Sequence, residues 1–212
     1  MRVLVAGGGG QIGTILSREL VEAGHEALPT TRKREQADDL EALGAHPVVV
    51  DLEQELPSDL LDGIDAVVFT AGAGPGSGET RKETVDYGAA VKLIDAAEAA
   101  GGARYVIVSA MGAGDPSAGG ESLGAYLSAK ARADERLQQS SLEWTVVRPG
   151  GLTDDPGTGR IAAAASLGRR GQIPREDTAR VLLASLEEPA TVGKSFEVLS
   201  GEDAVPDALR AL

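Results

Sequence analysis

The chain has 212 residues, a formal net charge of −13 and no cysteine. The lack of thiols excludes a disulfide framework, a thiolate zinc site and a cysteine nucleophile. Two isolated histidines, His25 and His46, form no ligand-spaced cluster, so no metal is expected. The acidic balance argues against a nucleic-acid or anionic-membrane surface, and the apolar runs are strand-sized, so a cytoplasmic monomer or homodimer is expected.

The chain opens with a β-branched run, Val3 to Val5, which breaks into four consecutive glycines, and an amphipathic helix begins near Gln11. Ile12, Leu16, Leu20 and Val21 recur at helical spacing, and Gly24 supplies the stop. A second strand, from His25 to about Thr31, leads to a polar helix from Glu35 to Leu43. Pro47 to Val50 reads as a third strand ending at Asp51, and Glu53 to Leu61 as a short helix or turn. Ile64 to Ala71 is a fourth strand whose continuous apolar middle suits a sheet covered on both faces. After the loop Gly72 to Gly78, the spacing of Val85, Ala89, Leu93, Ile94 and Ala97 predicts one long helix from about Thr80 to Ala100. A fifth strand, Ala103 to Ser109, opens into a Gly- and Ser-rich loop, Met111 to Gly120. A helix from Glu121 to Gln139 and a sixth strand, Leu142 to Val147, follow.

The last third is turn-rich. Asp154 to Gly159 is acidic, Ile161 to Leu167 is a small-residue stretch, a helix runs from about Ile173 to Glu187, and Lys194 to Leu199 is a late strand. Strands alternating with helices at this spacing predict an α/β fold of one domain over residues 1–212: a Rossmann-type doubly wound parallel sheet. Residues from about 150 to 212 add a small C-terminal substrate lobe.

The opening glycines carry the first functional signal. Glycines let the backbone approach a pyrophosphate, and the helix behind them offers free N–H groups and about half a positive charge. Gly8, Gly10 and Gly13 fit one dinucleotide-binding register, and Gly7, Gly10 and Gly13 fit another; a tight strand-to-helix connection is the plain alternative. At the end of the second strand, where a carboxylate would hold the ribose of NAD, the chain reads Thr30-Thr-Arg-Lys-Arg34. These bases would accommodate a 2′-phosphate, Arg32 foremost because a guanidinium grips phosphate with two hydrogen bonds, so NADP(H) is expected in preference to NAD(H). A solvated basic patch is the alternative.

Tyr126-Leu-Ser-Ala-Lys130 places a phenol and an ammonium on one helix face, and Ser109 stands at the sheet edge where ligands of open α/β sheets bind. Gathered beside a nicotinamide, these three would do carbonyl chemistry. The phenol would exchange a proton with the substrate oxygen, the ammonium would stabilise charge on it, and the serine would orient the substrate. Tyrosine and lysine four apart also occur by chance on many helices. Asp51, Ala71, Gly72 and Pro149 each follow a predicted strand and so face the same rim, although Asp51-Leu52 is also explained by capping or a turn. Asp115, Asp154 and Asp155 read as solvated loop charges, Trp144 as core, and His25 and His46 as boundary residues.

The pattern as a whole resembles the short-chain dehydrogenase/reductase superfamily, and more narrowly its atypical NAD(P)H-binding branch of epimerase-like and flavin- or biliverdin-reductase-like proteins. The likeness rests on Ala6-Gly-Gly-Gly-Gly-Gln-Ile-Gly13, Val50-Asp-Leu52, Asp65-Ala-Val-Val-Phe-Thr-Ala-Gly72, Val85-Asp-Tyr-Gly88, Leu93-Ile-Asp-Ala-Ala97, Val108-Ser-Ala110, Tyr126 to Lys130, Val147-Arg-Pro-Gly150 and Arg175-Glu-Asp177. It implies that Gly7, Gly10, Gln11, Ile12 and Gly13 contact the pyrophosphate, Arg32 the 2′-phosphate, Asp51 and Leu52 the adenine, and Ala71 and Gly72 the adjacent ribose. It further implies Ser109, Tyr126 and Lys130 as the reductase triad and Pro149 near the nicotinamide. Asp86 departs from the family, standing where an Asn is common. The expected function is an NADP(H)-dependent oxidoreductase or epimerase-like enzyme acting on a small carbonyl or flavin-like substrate; the alternative is an NADP(H)-binding redox sensor without turnover.

Overall fold

Strand β1 (Arg2–Ala6) lies inside the sheet because both of its faces are apolar: Val3 and Val5 enter one core cluster, Leu4 and Ala6 the other, and all four are fully buried. The computed structural model describes residues 1–74, 76–102, 104–115 and 120–212. Pro75, the expected strand start Ala103, and residues 116–119 of the expected glycine-rich loop lie outside the described residues. Parallel to β1 run β2 (Glu26–Thr31) and β3 (Val48–Val49) on one side. On the other side run β4 (Ala66–Phe69), β5 (Arg104–Val108) and β6 (Glu143–Pro149). The order 3-2-1-4-5-6 that results is the doubly wound arrangement, with its topological switch between β1 and β4.

Helices α1 (Gln11–Glu22) and α6 (Arg175–Glu187) pack together on one face, through Leu16 and Leu20 of α1 and Val181 and Leu182 of α6. The opposite face is covered by α4 (Ala90–Ala99) and α5 (Gly120–Gln138), through Leu93, Ile94, Ala133 and Leu137. A short polar helix, α2 (Arg34–Ala42), joins β2 to β3. The single long helix expected from Thr80 to Ala100 is instead three joined pieces: α3 (Glu79–Arg81), a π-helical segment Lys82–Ala89, and α4. Apolar spacing alone cannot reveal a widened turn, since the buried positions Val85 and Ala89 suit either form. The span from Glu53 to Leu61 is turn rather than helix.

Beyond β6 the lobe is richer in strands than expected. β7 (Gly151–Thr153) pairs with β9 (Gln172–Pro174). The small-residue stretch contributes β8 (Arg160–Ala164), antiparallel to β10 (Lys194–Ser200). β11 (Asp203–Ala204) and α7 (Val205–Arg210) close the chain. β8 is rich in Ala, which carries little intrinsic strand preference, so pairing with β10 and β11 rather than composition defines it.

Two consequences concern the helix that carries the glycine turn. A β-carbon on Gly13 would sit 2.4 Å from the Gly7 carbonyl oxygen and 2.7 Å from the Gly8 Cα, both backbone atoms with nowhere to yield. Gly13→Ala is therefore expected to cost about 1–3 kcal/mol in urea unfolding, the usual penalty of forcing extra volume into a packed site. Glu19, on the α6-facing side of α1, lies 3.7 Å from Arg180 while its second carboxylate oxygen is buried without a hydrogen-bond partner. Burial pushes its carboxyl up to about 7 from 4.5, with Arg180 opposing. The native state thus keeps a proton that the unfolded chain has already released, and stability falls as pH rises from the unfolded value through the native one. Thermal unfolding across about pH 5 to pH 8 is expected to show this decline in the wild type and a flatter profile in Glu19→Gln; parallel profiles would refute it.

Candidate functional site

The turn between β1 and α1 is built around Gly7, whose φ of +81° belongs to the left-handed region and whose absent β-carbon would lie 2.6 Å from the Ala71 Cα. The register counted from Gly7 is the one whose first glycine occupies this position. The Gly7 amide donates to Thr30 Oγ1 at 3.0 Å, and the Thr70 hydroxyl donates to the Ala6 carbonyl at 2.9 Å, so the ends of β2 and β4 hold the turn from both sides. The Gly10 amide closes the turn onto the Gly7 carbonyl at 2.9 Å, and the next hydrogen bond along the chain runs from the Thr14 amide to the Gly10 carbonyl. The amides of Gln11, Ile12 and Gly13 precede that bond and are the free donors of the helix N-terminus. The Ile12 side chain itself belongs to the first core cluster, which leaves its amide as the group facing the turn.

From this turn a cleft of about 330 Å³ runs along the rim of β1, β2 and β4. It brings together Gly7, Gly10, Arg32, Asp51, Leu52, Ala71 and Gly72 of the expected set, with Gly9, Thr31, Gln36, Glu53, Arg81 and Val85 among the residues that sequence reasoning had not assigned to the site. A cradle in which a β-carbon would clash, beside free helix amides and a cation-bearing cleft, fits a dinucleotide: the turn for the pyrophosphate, the cleft for the adenosine. The Asp51 carboxylate accepts from the Glu53 amide at 3.0 Å, so the turn role foreseen for it is real, while Leu52 is buried in the second core cluster and shows one face to the cleft. Gln36 donates to the Gly9 carbonyl at 3.3 Å and its amide oxygen receives the Thr31 hydroxyl at 2.8 Å, bracing the glycine turn against β2. No sequence signal marks Glu53, Gln36 or Arg81, because each is delivered by chain that follows a strand end rather than by a motif.

Ser109, Tyr126, Lys130 and Pro149 lie outside the cleft lining. Tyr126, Lys130 and Asp134 recur every four residues on one face of α5. The Lys130 ammonium is buried, 6.0 Å from the centre of the Tyr126 ring. It donates to the Val108 carbonyl at 3.0 Å and forms an ion pair at 3.3 Å with Asp86, a fully buried residue of the π segment. The other Asp86 oxygen accepts from the Ala73 amide at 3.2 Å, tying the pair to the rim beside Ala71 and Gly72. Ser109 is held elsewhere: its hydroxyl donates to Asp134 at 2.8 Å, and Arg148 grips the same Asp134 oxygen with two donors at 3.0 Å each. Burial pushes the Asp134 carboxyl up, with the Arg148 guanidinium and then the Ser109 hydroxyl opposing. Pro149 is buried at the end of β6, where its carbonyl accepts from the Met111 amide at 2.9 Å and joins the rim after β5 to the rim after β6.

Several secondary expectations are refined. Asp154 is exposed yet engaged, accepting from Arg175 at 2.7 Å and from Gln11 at 3.2 Å, so it links the lobe to the first turn of α1. Trp144 is half-buried against the second cluster, and His25 bridges the N-terminal ammonium and Glu187. Among the described residues no group of three or more His, Cys, Asp or Glu is placed to hold a metal, and no helix is long and apolar enough to cross a membrane.

Comparison with known proteins agrees with this geometry. A family model described as NAD(P)H-binding matches residues 7–189. The chain is 39% identical over the full length of both chains to a Bacillus subtilis protein named uncharacterized sugar epimerase YhfK. It superposes with a TM-score of 0.95 on a Bacillus halodurans protein provisionally described as an NAD-dependent epimerase/dehydratase, at 37% identity and full coverage of both. A Lactococcus lactis protein described as the oxidoreductase ylbE aligns with a TM-score of 0.90 and 27% identity, covering 100% of this chain and 96% of that one.

The buried pair gives a direct test of the site's construction. Removing either partner strands a charge in the interior, so Asp86→Asn and Lys130→Met are each expected to cost about 3–5 kcal/mol, whereas the double variant should cost clearly less than their sum. A double-mutant cycle in urea unfolding measures this, and simple additivity would show that the two groups do not interact.

Proposed function

Because the chain belongs to the NAD(P)H-binding family, we propose that it is an NADP(H)-dependent oxidoreductase or epimerase-like enzyme of the short-chain dehydrogenase/reductase type, acting on a small carbonyl or flavin-like substrate. The observation that carries this reading is the pairing of a half-buried Tyr126 with a buried Lys130 one helical turn away on α5, the lysine being tied through Asp86 to the Ala73 amide beside Ala71 and Gly72. Gly7, Gly10 and the amides of Gln11, Ile12 and Gly13 would hold the pyrophosphate, and Asp51, Leu52, Ala71 and Gly72 the adenosine. Arg32, at the position where NAD-specific sites carry a carboxylate, supports the choice of NADP(H). When bound, the nicotinamide supplies or accepts a hydride.

The chain's own part is proton and charge management. Tyr126 would hold the proton exchanged with the substrate oxygen. Lys130, fixed by Asp86 and the Val108 carbonyl, would place positive charge beside the phenol. Ser109 would act as a positioned acceptor, its own proton being given to Asp134. The name of the Bacillus subtilis relative supports a sugar-type carbonyl or carbinol as substrate. One observation favours the second reading, a redox sensor that binds NADP(H) without turnover: the Ser109 hydroxyl is committed to Asp134 rather than turned to the rim.

Purified protein with NADPH and a panel of flavins, quinones, aldehydes and keto-sugars separates the two. Turnover that falls by about 10²–10⁴-fold in Tyr126→Phe, the usual contribution of a positioned acid/base, is the enzyme outcome. Tight NADPH binding without turnover above that variant is the sensor outcome.

A further inference from the structure

The adenosine end of the cleft already contains an anion of the protein's own. Glu53, on the turn after β3, points its carboxylate between two guanidiniums contributed by different elements. Arg32, just past the end of β2, donates to Glu53 Oε2 at 3.3 Å, and Arg81, the last residue of α3, lies 3.6 Å from the same oxygen. Thr84 in the π segment donates its hydroxyl to Oε1 at 2.6 Å. All three of these charged side chains line the cleft and remain partly exposed, Glu53 at 23%, Arg81 at 45% and Arg32 at 50%.

The backbone that carries Glu53 is pinned. Its amide donates to the Asp51 carboxylate, and the Lys92 ammonium donates to the carbonyls of Leu52 and Glu53 at 3.2 and 3.1 Å. What can move is therefore the side chain, with three rotatable bonds and water within reach. Two guanidiniums and a hydroxyl converging on one acidic oxygen pair is the donor set that a phosphate takes, and a phosphate offers these donors more oxygens and more charge than a carboxylate does.

We propose that Glu53 is an internal anion seated in the 2′-phosphate site, and that Arg81 is the second guanidinium that takes the phosphate when the carboxylate is displaced. Glu53 then sets cofactor specificity by competition: it weakens NADPH by the work of displacing it, while NADH, which brings no anion to this place, meets the bracket already neutralised. The inference deepens the NADP(H) reading and rests on it for the location of the phosphate. It assigns roles to Glu53, from the turn after β3, and Arg81, from α3.

The test is a set of dissociation constants for NADPH and NADH, by isothermal titration, on the wild type, Arg32→Gln, Arg81→Gln and Glu53→Gln, with thermal melting of each variant to establish folding. Since one charge-assisted phosphate contact is typically worth a factor of about ten, Arg81→Gln is expected to weaken NADPH by about tenfold and Glu53→Gln to tighten it several-fold, with NADH moved less than about twofold by either. Loss of NADPH affinity in Arg32→Gln but not in Arg81→Gln would overturn the bracket while leaving the NADP(H) reading intact. A weaker NADH in Glu53→Gln would overturn it too, since Glu53 would then be a ribose ligand. Equal wild-type affinity for the two cofactors, with a selective NADPH loss in Arg81→Gln, would instead remove the preference and keep the bracket.

Discussion

Everything near the rim depends on the absence of side-chain volume between the end of β1 and the start of α1. With the Gly7 carbonyl within 2.4 Å of where a Gly13 β-carbon would stand, the helix begins directly on the turn, and its free amides face the same space as the turn itself. The helix that supplies those amides also buries Leu16 and Leu20 in the first core cluster, so the free donors and the core draw on one element. A shift of α1 that relieved the contact would move both at once. Thr30 and Thr70, on the strands that flank β1, hold the turn from either side by hydroxyl bonds, which transfers the rigidity of the sheet to the loop.

A second constraint acts on α5. Its inward face carries a charge at Lys130 and another at Asp134, and two bare ions there would cost several kcal/mol each in lost hydration. Each is answered from a different element: Lys130 by Asp86 from the π segment and Asp134 by Arg148 from β6. The π widening thus has a structural consequence, because it is the segment that presents Asp86 at 3.3 Å from the ammonium and Thr84 at 2.6 Å from Glu53. One irregular stretch of eight residues touches both the cleft beside the glycine turn and the charged face of α5. Widened turns of this kind are frequent at functional sites.

The parts of this molecule that were legible in the sequence are those that a local rule governs. The glycine turn, the strand-helix alternation, the stop at Gly24 and the Tyr126–Lys130 spacing all follow from steric or periodic requirements that operate within a dozen residues. Partners that meet only through the fold were not legible. Asp86 was noticed as an oddity in place of an Asn, yet its partner is 44 positions away across two elements. Arg81 and Glu53 carry no motif, and Asp154 reads as a loop charge until β7 brings it to Arg175 and Gln11. Among the C-terminal strands β10 was expected, while β8 was missed for a different reason: an Ala-rich segment acquires strand character from its neighbours.

Counting protons on the charged face of α5 constrains the chemistry further. The Ser109 hydroxyl has one proton, and it is donated to Asp134, so toward the rim Ser109 offers lone pairs and no donor. Burial raises the Asp134 carboxyl, which favours the neutral acid, while Arg148 favours the carboxylate. The direction of the Ser109 hydrogen bond is therefore set by a fully buried carboxyl that Arg148 holds in place. Tyr126, by contrast, is half-buried on the same face of α5, beside the Lys130 ammonium. In the proposed reaction the phenol is accordingly the group that exchanges the proton, and the serine is the one whose role is set from behind.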